Sequence, residues 1–144
     1  MEYIWSPYSL SRRSTSHILL QQLFDEVLKK VDCRYECGHR NEAEQNRSYD
    51  LGLSKVQWPD SKHNLLPSLA ADVIPFPVIW PEVKDGIKKY SLDLGRLYMF
   101  VGYVKGIAYK LGIPVRAGAD WDSDFQISDQ TFHDLPHWEL VGNF

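Results

Sequence analysis

The sequence is short of the features that would assign it a class at once. It has two cysteines in 144 residues, Cys33 and Cys37, too few for a disulfide framework. Their C-x3-C spacing matches neither a zinc ribbon nor a thioredoxin-type redox pair, so both are expected reduced, in or near a core. There is no basic block, and the formal net charge is −3; a dedicated nucleic-acid binder would cluster Lys and Arg. No apolar run approaches the roughly 20 residues that cross a bilayer, so the chain is not expected to be membrane-embedded. Met1–Arg13 lacks a basic start followed by an apolar stretch, so no signal peptide is expected. Internal repeats, linkers and low-complexity tracts are missing too, which leaves a single domain over residues 1–144.

What is present is an ordinary globular composition, 44% hydrophobic, in a chain long enough for a sizeable core. Residues 1–13 read as irregular, with Tyr3, Ile4, Trp5 and Tyr8 pinning the terminus to the body. Ser14 or Ser16 can cap a helix to about Val31, whose stripe is Leu19, Leu20, Leu23, Phe24, Val27, Leu28 and Val31. A strand over Asp32–Cys37 and a turn at Gly38-His39-Arg40 follow. Asn41 and Glu44 form a capping pair for a helix to about Leu51, stopped by Gly52. Residues 53–72 read as loop, and Asp72-Val73-Ile74 as a strand entering the core. Pro75, Pro77 and Pro81 exclude regular helix across Ile74–Pro81. Lys84-Asp85-Gly86 reads as a turn. Ser91 caps the longest helix, to about Leu111, with Leu94, Leu97, Val101, Val104, Ala108 and Leu111 on one face and Gly112 at its end. Strands are expected at Ile113–Arg116 and His137–Val141, with a polar, acidic loop over 117–132. Helices and strands mix without a βαβ repeat, so the fold class is α+β.

Chemistry concentrates in two stretches. Ser61–Asp72 carries His63 and, nine residues on, Asp72; Asp134–Leu140 carries His137. Two neutral imidazoles and a carboxylate fill three positions of a tetrahedral zinc site and leave the fourth open, as in catalytic rather than structural zinc. Asp72 stands just ahead of an apolar strand, where a buried carboxylate needs a partner. His133 and His137 are four apart, but Pro136 rules out the helix that would present them together. Asp134 is the better companion for His137, beside a metal without ligating it and able to move protons. Glu139 shares a face with His137 and can accept its other N–H, whereas Trp138 points to the core. Ser61 can bond within its loop or orient His63. Asp120, Asp122 and Asp124 start like a calcium loop, but Phe125 replaces the required glycine, so a solvated acidic loop is expected over a weak calcium site.

Gly38-His39-Arg40, Glu44-Gln45, Ser61–Asp72, Gly118–Asp122 and Asp134–Leu140 occur in this order. Together they resemble the zinc peptidases of the D-Ala-D-Ala carboxypeptidase and L-alanyl-D-glutamate endopeptidase family, over roughly residues 15–142. The resemblance implies a Hedgehog/DD-peptidase-like fold, with a small antiparallel sheet flanked by helices. It implies Zn2+ held by His63, Asp72 and His137, with Asp134 as catalytic acid/base and Arg40 steadying the substrate carbonyl or its oxyanion. Asp rather than Glu at position 134 tilts the choice toward the endopeptidase, acting on the peptidoglycan stem peptide. A D-Ala-D-Ala carboxypeptidase and a zinc-stabilised, non-catalytic binding domain are the alternatives. Short single-domain members resemble phage endolysins, which implies a monomer held in the host cytoplasm before lysis and acting at the periplasm and cell wall afterwards.

Overall fold

A computed structural model describes residues 2–81 and 91–144; the expected turn at 84–86 lies outside them. Four helices and one four-stranded antiparallel sheet make an α+β fold, as the sequence implies. In chain order these are α1 (Pro7–Arg13), α2 (Ile18–Leu28), β1 (Cys33–Cys37), α3 (Glu42–Asp50), a 3-10 turn (Lys62–Asn64), β2 (Ala70–Pro75), α4 (Leu92–Leu111), β3 (Val115–Ala117) and β4 (His137–Leu140). The sheet order is β1-β2-β4-β3. Among the described residues no helix is long and apolar enough to cross a membrane.

The first helix corrects the sequence reading of 1–13 as irregular. The Ser6 hydroxyl accepts from the Ser9 N–H at 3.1 Å and Pro7 stands in the first turn, two start signals in succession. Of the four anchors expected there, Trp5 fits best: its Nε1 donates to Asp25 at 2.8 Å and its ring meets Tyr35 edge-on. Ile4 is exposed. Arg13 grips the same Asp25 through Nε (2.8 Å) and Nη2 (2.5 Å).

The second helix begins later than the serines suggest. His17 caps it, with Nδ1 accepting from the Leu19 N–H at 3.1 Å. Ser16 is engaged elsewhere, its hydroxyl accepting from Tyr35 Oη at 2.7 Å and from Ser68 Oγ at 3.1 Å. The helix stops at Leu28 rather than Val31. By contrast, α3 has its Asn41–Glu44 capping box, and α4 runs from its Ser91 cap to a left-handed Gly112 at φ 69°, the backbone region where glycine costs least. Leu94, Leu97, Phe100, Val101, Val104 and Ala108 form the buried face of α4, while Leu111 stays partly exposed at its end.

The sheet separates a core face from a site face. Phe24 of α2 lies fully buried, edge-on to Tyr35 of β1 and Trp138 of β4, at centroid distances of 5.8 and 6.2 Å. Trp138 is thus a core residue, as expected. In the register, Asp72 of β2 stands opposite His137 of β4, and Ala71 opposite Trp138. Alternation along a strand then puts His137 and Glu139 on one face and Trp138 and Leu140 on the other. Pairing begins at Ala70, two residues earlier than expected, because Ala70 already faces Glu139. β3 begins at Val115 rather than Ile113, since Pro114 has no N–H to pair and its carbonyl instead accepts from the Val141 N–H at 2.9 Å.

Gly118 locks the loop after β3 to β4. Its N–H donates to the His137 carbonyl at 2.8 Å, and its carbonyl accepts from the Asp134 N–H at 3.0 Å. A Cβ here would collide with the Asp134 carbonyl oxygen and stand 2.9 Å from the Cβ atoms of Asp134 and His137.

Phe24→Ala should cost about 3–5 kcal/mol of unfolding free energy, the penalty for a large aromatic lost from a closed core; denaturant melting measures it. Gly118→Ala should cost about 1–3 kcal/mol from forced displacement of packed backbone. An unchanged melting midpoint for Gly118→Ala would mean that the loop does not depend on this close approach.

Candidate active site

Three elements bring the chemistry together. β2 supplies Asp72, its neighbour β4 supplies His137, and the 3-10 turn supplies His63. Ser61 starts that turn, its hydroxyl accepting from the His63 N–H at 3.2 Å while Asn64 Oδ1 accepts from the Ser61 N–H at 3.0 Å. Ser61 therefore bonds within its loop and, by doing so, fixes the backbone of His63. His63 is buried and lies T-shaped to His137, ring centroids 5.2 Å apart.

Each imidazole is held from behind by an oxygen. The Gly38 carbonyl stands 2.7 Å from His63 Nδ1. A carbonyl can only accept, so Nδ1 carries the proton and Nε2 offers a lone pair. Glu139 Oε1 stands 2.9 Å from His137 Nε2, which by the same logic leaves His137 Nδ1 facing inward. His63 Nε2 lies 3.3 Å from Asp72 Oδ1, and His137 Nδ1 lies 3.4 Å from that same oxygen. His63 Nε2 and Asp72 Oδ1 are nevertheless buried without a hydrogen-bond partner. Buried polar atoms are seldom left unsatisfied, and three electron-pair donors turned toward one point suit a cation.

The charges agree with the geometry. Burial works against the Asp72 carboxylate, but the two imidazoles outweigh it and hold the group well below the ordinary carboxylate range. Burial likewise works against a charged His137 ring, and Asp72 and Glu139 override it, lifting its pKa to about 10. A proton on Nδ1 is thus the simplest cation this arrangement can hold, and a metal ion would compete for the same lone pair.

Cys37 also reaches this region. A donor atom from each of Cys37, His63 and Asp72 falls within 4.8 Å of the others. The sulfur lies 3.8 Å from His63 Nδ1, the protonated side of the ring, rather than beside Nε2. Burial first, then the charge of Asp72, pushes its thiol up to about 12, so it is neutral. The position follows from a bulge between Tyr35 and Cys37, which sets Cys37 opposite Asp72. Both cysteines are free, as expected.

Asp134 and Arg40 flank the centre. Asp134 Oδ2 lies 3.8 Å from His137 Nδ1. Burial, then the charge of Asp72, raises its carboxyl to about 7, against the opposite pull of His137 and Arg40. Arg40 Nη2 donates to Asp72 Oδ2 at 3.3 Å and Nη1 to Gln45 Oε1 at 3.0 Å. Gln45 is fully buried on an otherwise polar helix and also bonds Asn64, Ser54 and the Val56 carbonyl. The Glu44-Gln45 run contains this residue, but its part as the brace for Arg40 exists only once α3 packs Gln45 into the fold.

These groups open into a cleft of about 1110 Å³. One wall is aromatic: Trp121 stacks on Phe132 at 6.3 Å and tilts against His137 at 5.2 Å. His133 lines the cleft but shares no helix with His137, as Pro136 requires. Beside this wall Glu139 Oε2 gathers Lys62 Nζ at 3.1 Å and Arg116 Nη2 at 3.0 Å. His137 first, and then Lys62, hold the Glu139 carboxyl down at about 2 in spite of its burial. In the 117–132 loop Asp122 and Asp124 are exposed, but Asp120 departs from the solvated loop expected there: it is buried, paired with Lys105, and accepts from the Phe125 N–H at 3.0 Å.

The chain is similar in fold to the Serratia marcescens L-Ala D-Glu endopeptidase ChiX, with a TM-score of 0.60 at 20% identity, over 95% of this chain and 89% of that one. At that identity the likeness speaks for the architecture. No match was found among curated proteins. Residues 1–141 match the phage L-alanyl-D-glutamate peptidase family, nearly the whole chain. By that match the chain belongs to the phage L-alanyl-D-glutamate peptidases.

Proposed function

We propose that this peptidoglycan peptidase cuts the L-alanyl-D-glutamate bond of the stem peptide with a zinc ion held by His63 Nε2, an Asp72 oxygen and His137 Nδ1. The observation that carries the reading is the pair of buried, unpartnered atoms, His63 Nε2 and Asp72 Oδ1, with His137 Nδ1 turned to the same oxygen. Two imidazole nitrogens and one carboxylate form a donor set suited to catalytic zinc. Cys37 is outside this set, because its neutral sulfur faces the opposite nitrogen of His63. Family membership favours this bond over D-Ala-D-Ala and turnover over passive binding.

When bound, zinc supplies Lewis acidity at the scissile carbonyl and brings the acidity of water toward neutral pH. Asp134 takes a proton from the attacking water and returns it to the departing nitrogen. A carboxyl beside the reacting atoms that can both take and return a proton suits both halves of that task. Arg40, braced by Gln45, donates to the carbonyl oxygen as negative charge grows there. Glu139 and the Gly38 carbonyl keep the two imidazoles in the tautomers that aim their lone pairs inward. The resemblance to short, single-domain phage endolysins supports a working monomer. The phage family supports storage in the host cytoplasm and action at the cell wall once lysis begins.

Metal analysis should find about one zinc per chain, and His63→Ala should lose it together with activity. Asp134→Asn should keep the zinc while kcat falls on the order of 10²–10⁴. Mass spectrometry of digested peptidoglycan should show a new amino-terminal D-Glu that vanishes in this variant. Full activity in Asp134→Asn would remove the residue from the chemistry. Arg40→Ala should slow turnover on the order of 10²–10³ with zinc content unchanged.

A further inference from the structure

We propose that Arg116 is a specificity-determining residue that receives the free carboxylate of the D-glutamyl residue on the leaving side of the scissile bond. The inference rests on the L-alanyl-D-glutamate reading and adds a subsite to it. A glutamyl residue has two carboxyl groups and continues the chain through one. The other remains as a carboxylate a few bonds from the scissile nitrogen, so a cleft that recognises glutamate needs a cation close to the reacting centre.

Among the described residues, four Lys and Arg side chains line the cleft: Arg40, Lys55, Lys62 and Arg116. Arg40 is committed to Asp72 and Gln45, and its side chain is 15% exposed. Lys62 is turned to Glu139 and to the Leu140 carbonyl. Lys55 stands over the Phe132 ring, at the end of the aromatic wall away from His137. Arg116 is one carboxylate removed from His137: Glu139 joins them, Oε1 to the imidazole at 2.9 Å and Oε2 to the guanidinium at 3.0 Å.

Arg116 is also built to accept an anion. Its side chain is 43% exposed, the most open of the three pairs that engage site carboxylates. Nε and Nη2 both converge on the single oxygen Glu139 Oε2. Nη1 has no hydrogen bond among the described residues, so part of the planar fork stays open to a carboxylate. The guanidinium carbon lies 5.5 Å from the Trp121 ring, which holds it against the wall. Lys62 and Arg116, two full cations, share one carboxylate, Glu139. This lip of the cleft thus has positive charge in surplus.

The test compares two stem peptides, one with the glutamyl carboxylate free and one with it converted to the carboxamide. The wild-type protein should favour the free acid. Arg116→Gln should lower kcat/KM on the acid on the order of 10- to 100-fold, as for a lost charge-assisted bond, and leave the amide within about two- to three-fold. Arg116→Lys, which keeps the charge and the Glu139 contact, should retain part of the preference. Equal wild-type cleavage of both peptides refutes the subsite alone. A parallel loss on both peptides in Arg116→Gln refutes it too, because Arg116 would then act only through Glu139. If the wild-type protein frees no amino-terminal glutamate from either peptide, the L-alanyl-D-glutamate reading fails and the subsite falls with it.

Discussion

The structure depends on a half-buried carboxylate placed between two imidazoles. Asp72 lies in an interior strand of the sheet, with β1 on one side and β4 on the other. An isolated charge there would be prohibitively costly. His63, His137 and Arg40 surround it at 3.3–3.4 Å, and each arrives from a different element. The compensation holds only if the register between β2 and β4 is kept. A slip of one residue would turn Asp72 toward the core and Ala71 toward the site. The packing of Trp138 against Phe24 on the far face opposes that slip. Core and site are therefore two faces of one register.

Around that centre, the polar side chains are held by other polar groups rather than by apolar packing. The Gly38 carbonyl sets the tautomer of His63, and Glu139 sets that of His137. Gln45 braces Arg40, and the Arg40 carbonyl in turn accepts from Asn64 beside His63 at 3.0 Å. Two glycines make these approaches possible. A Cβ on Gly118 would press on Asp134 and His137, and one on Gly38 would meet Thr15, Arg12 and Ser16 where the strand end passes the start of α2. Small residues at these positions let the backbone itself act as a polar partner.

Much of this was legible in the sequence because it is encoded locally. The caps of α3 and α4, the stop at Gly112 and the apolar stripe of α2 each depend on residues a few positions apart. The face shared by His137 and Glu139 follows from strand alternation, and the structure bears it out at 2.9 Å. The convergence of His63, Asp72 and His137 was legible only through the family pattern, since no local rule joins positions 63 and 137. What escaped was decided by distant partners. Ser14 and Ser16 both look like caps, but Tyr35 and Ser68 claim the Ser16 hydroxyl, Ser14 bonds the Ser11 carbonyl, and His17 caps the helix instead. Ser6 and Pro7 announce the helix at Pro7–Arg13, but Tyr3, Ile4, Trp5 and Tyr8 around them carry the pattern of an anchoring segment and mask that signal. Lys62 and Arg116 gave no sign, because their pairing with Glu139 exists only once β3, β4 and the 3-10 turn meet.

Asp72 and Asp134 show how one residue type takes two opposite characters within a few ångströms. Both are largely withdrawn from water. Asp72 has two imidazoles and a guanidinium against it, so its charge is compensated and it stays ionised. Asp134 sits three residues before His137, on the loop that Gly118 clamps, and meets His137 only at 3.8 Å. It has burial and the neighbouring Asp72 charge to contend with and less to offset them, so its proton is held to about 7. One carboxylate is thereby kept ionised and the other kept ready to exchange a proton. The division requires Asp134 to stay close enough to feel Asp72 yet outside the triangle of donor atoms. The loop geometry at Gly118, rather than the identity of either aspartate, sets that distance.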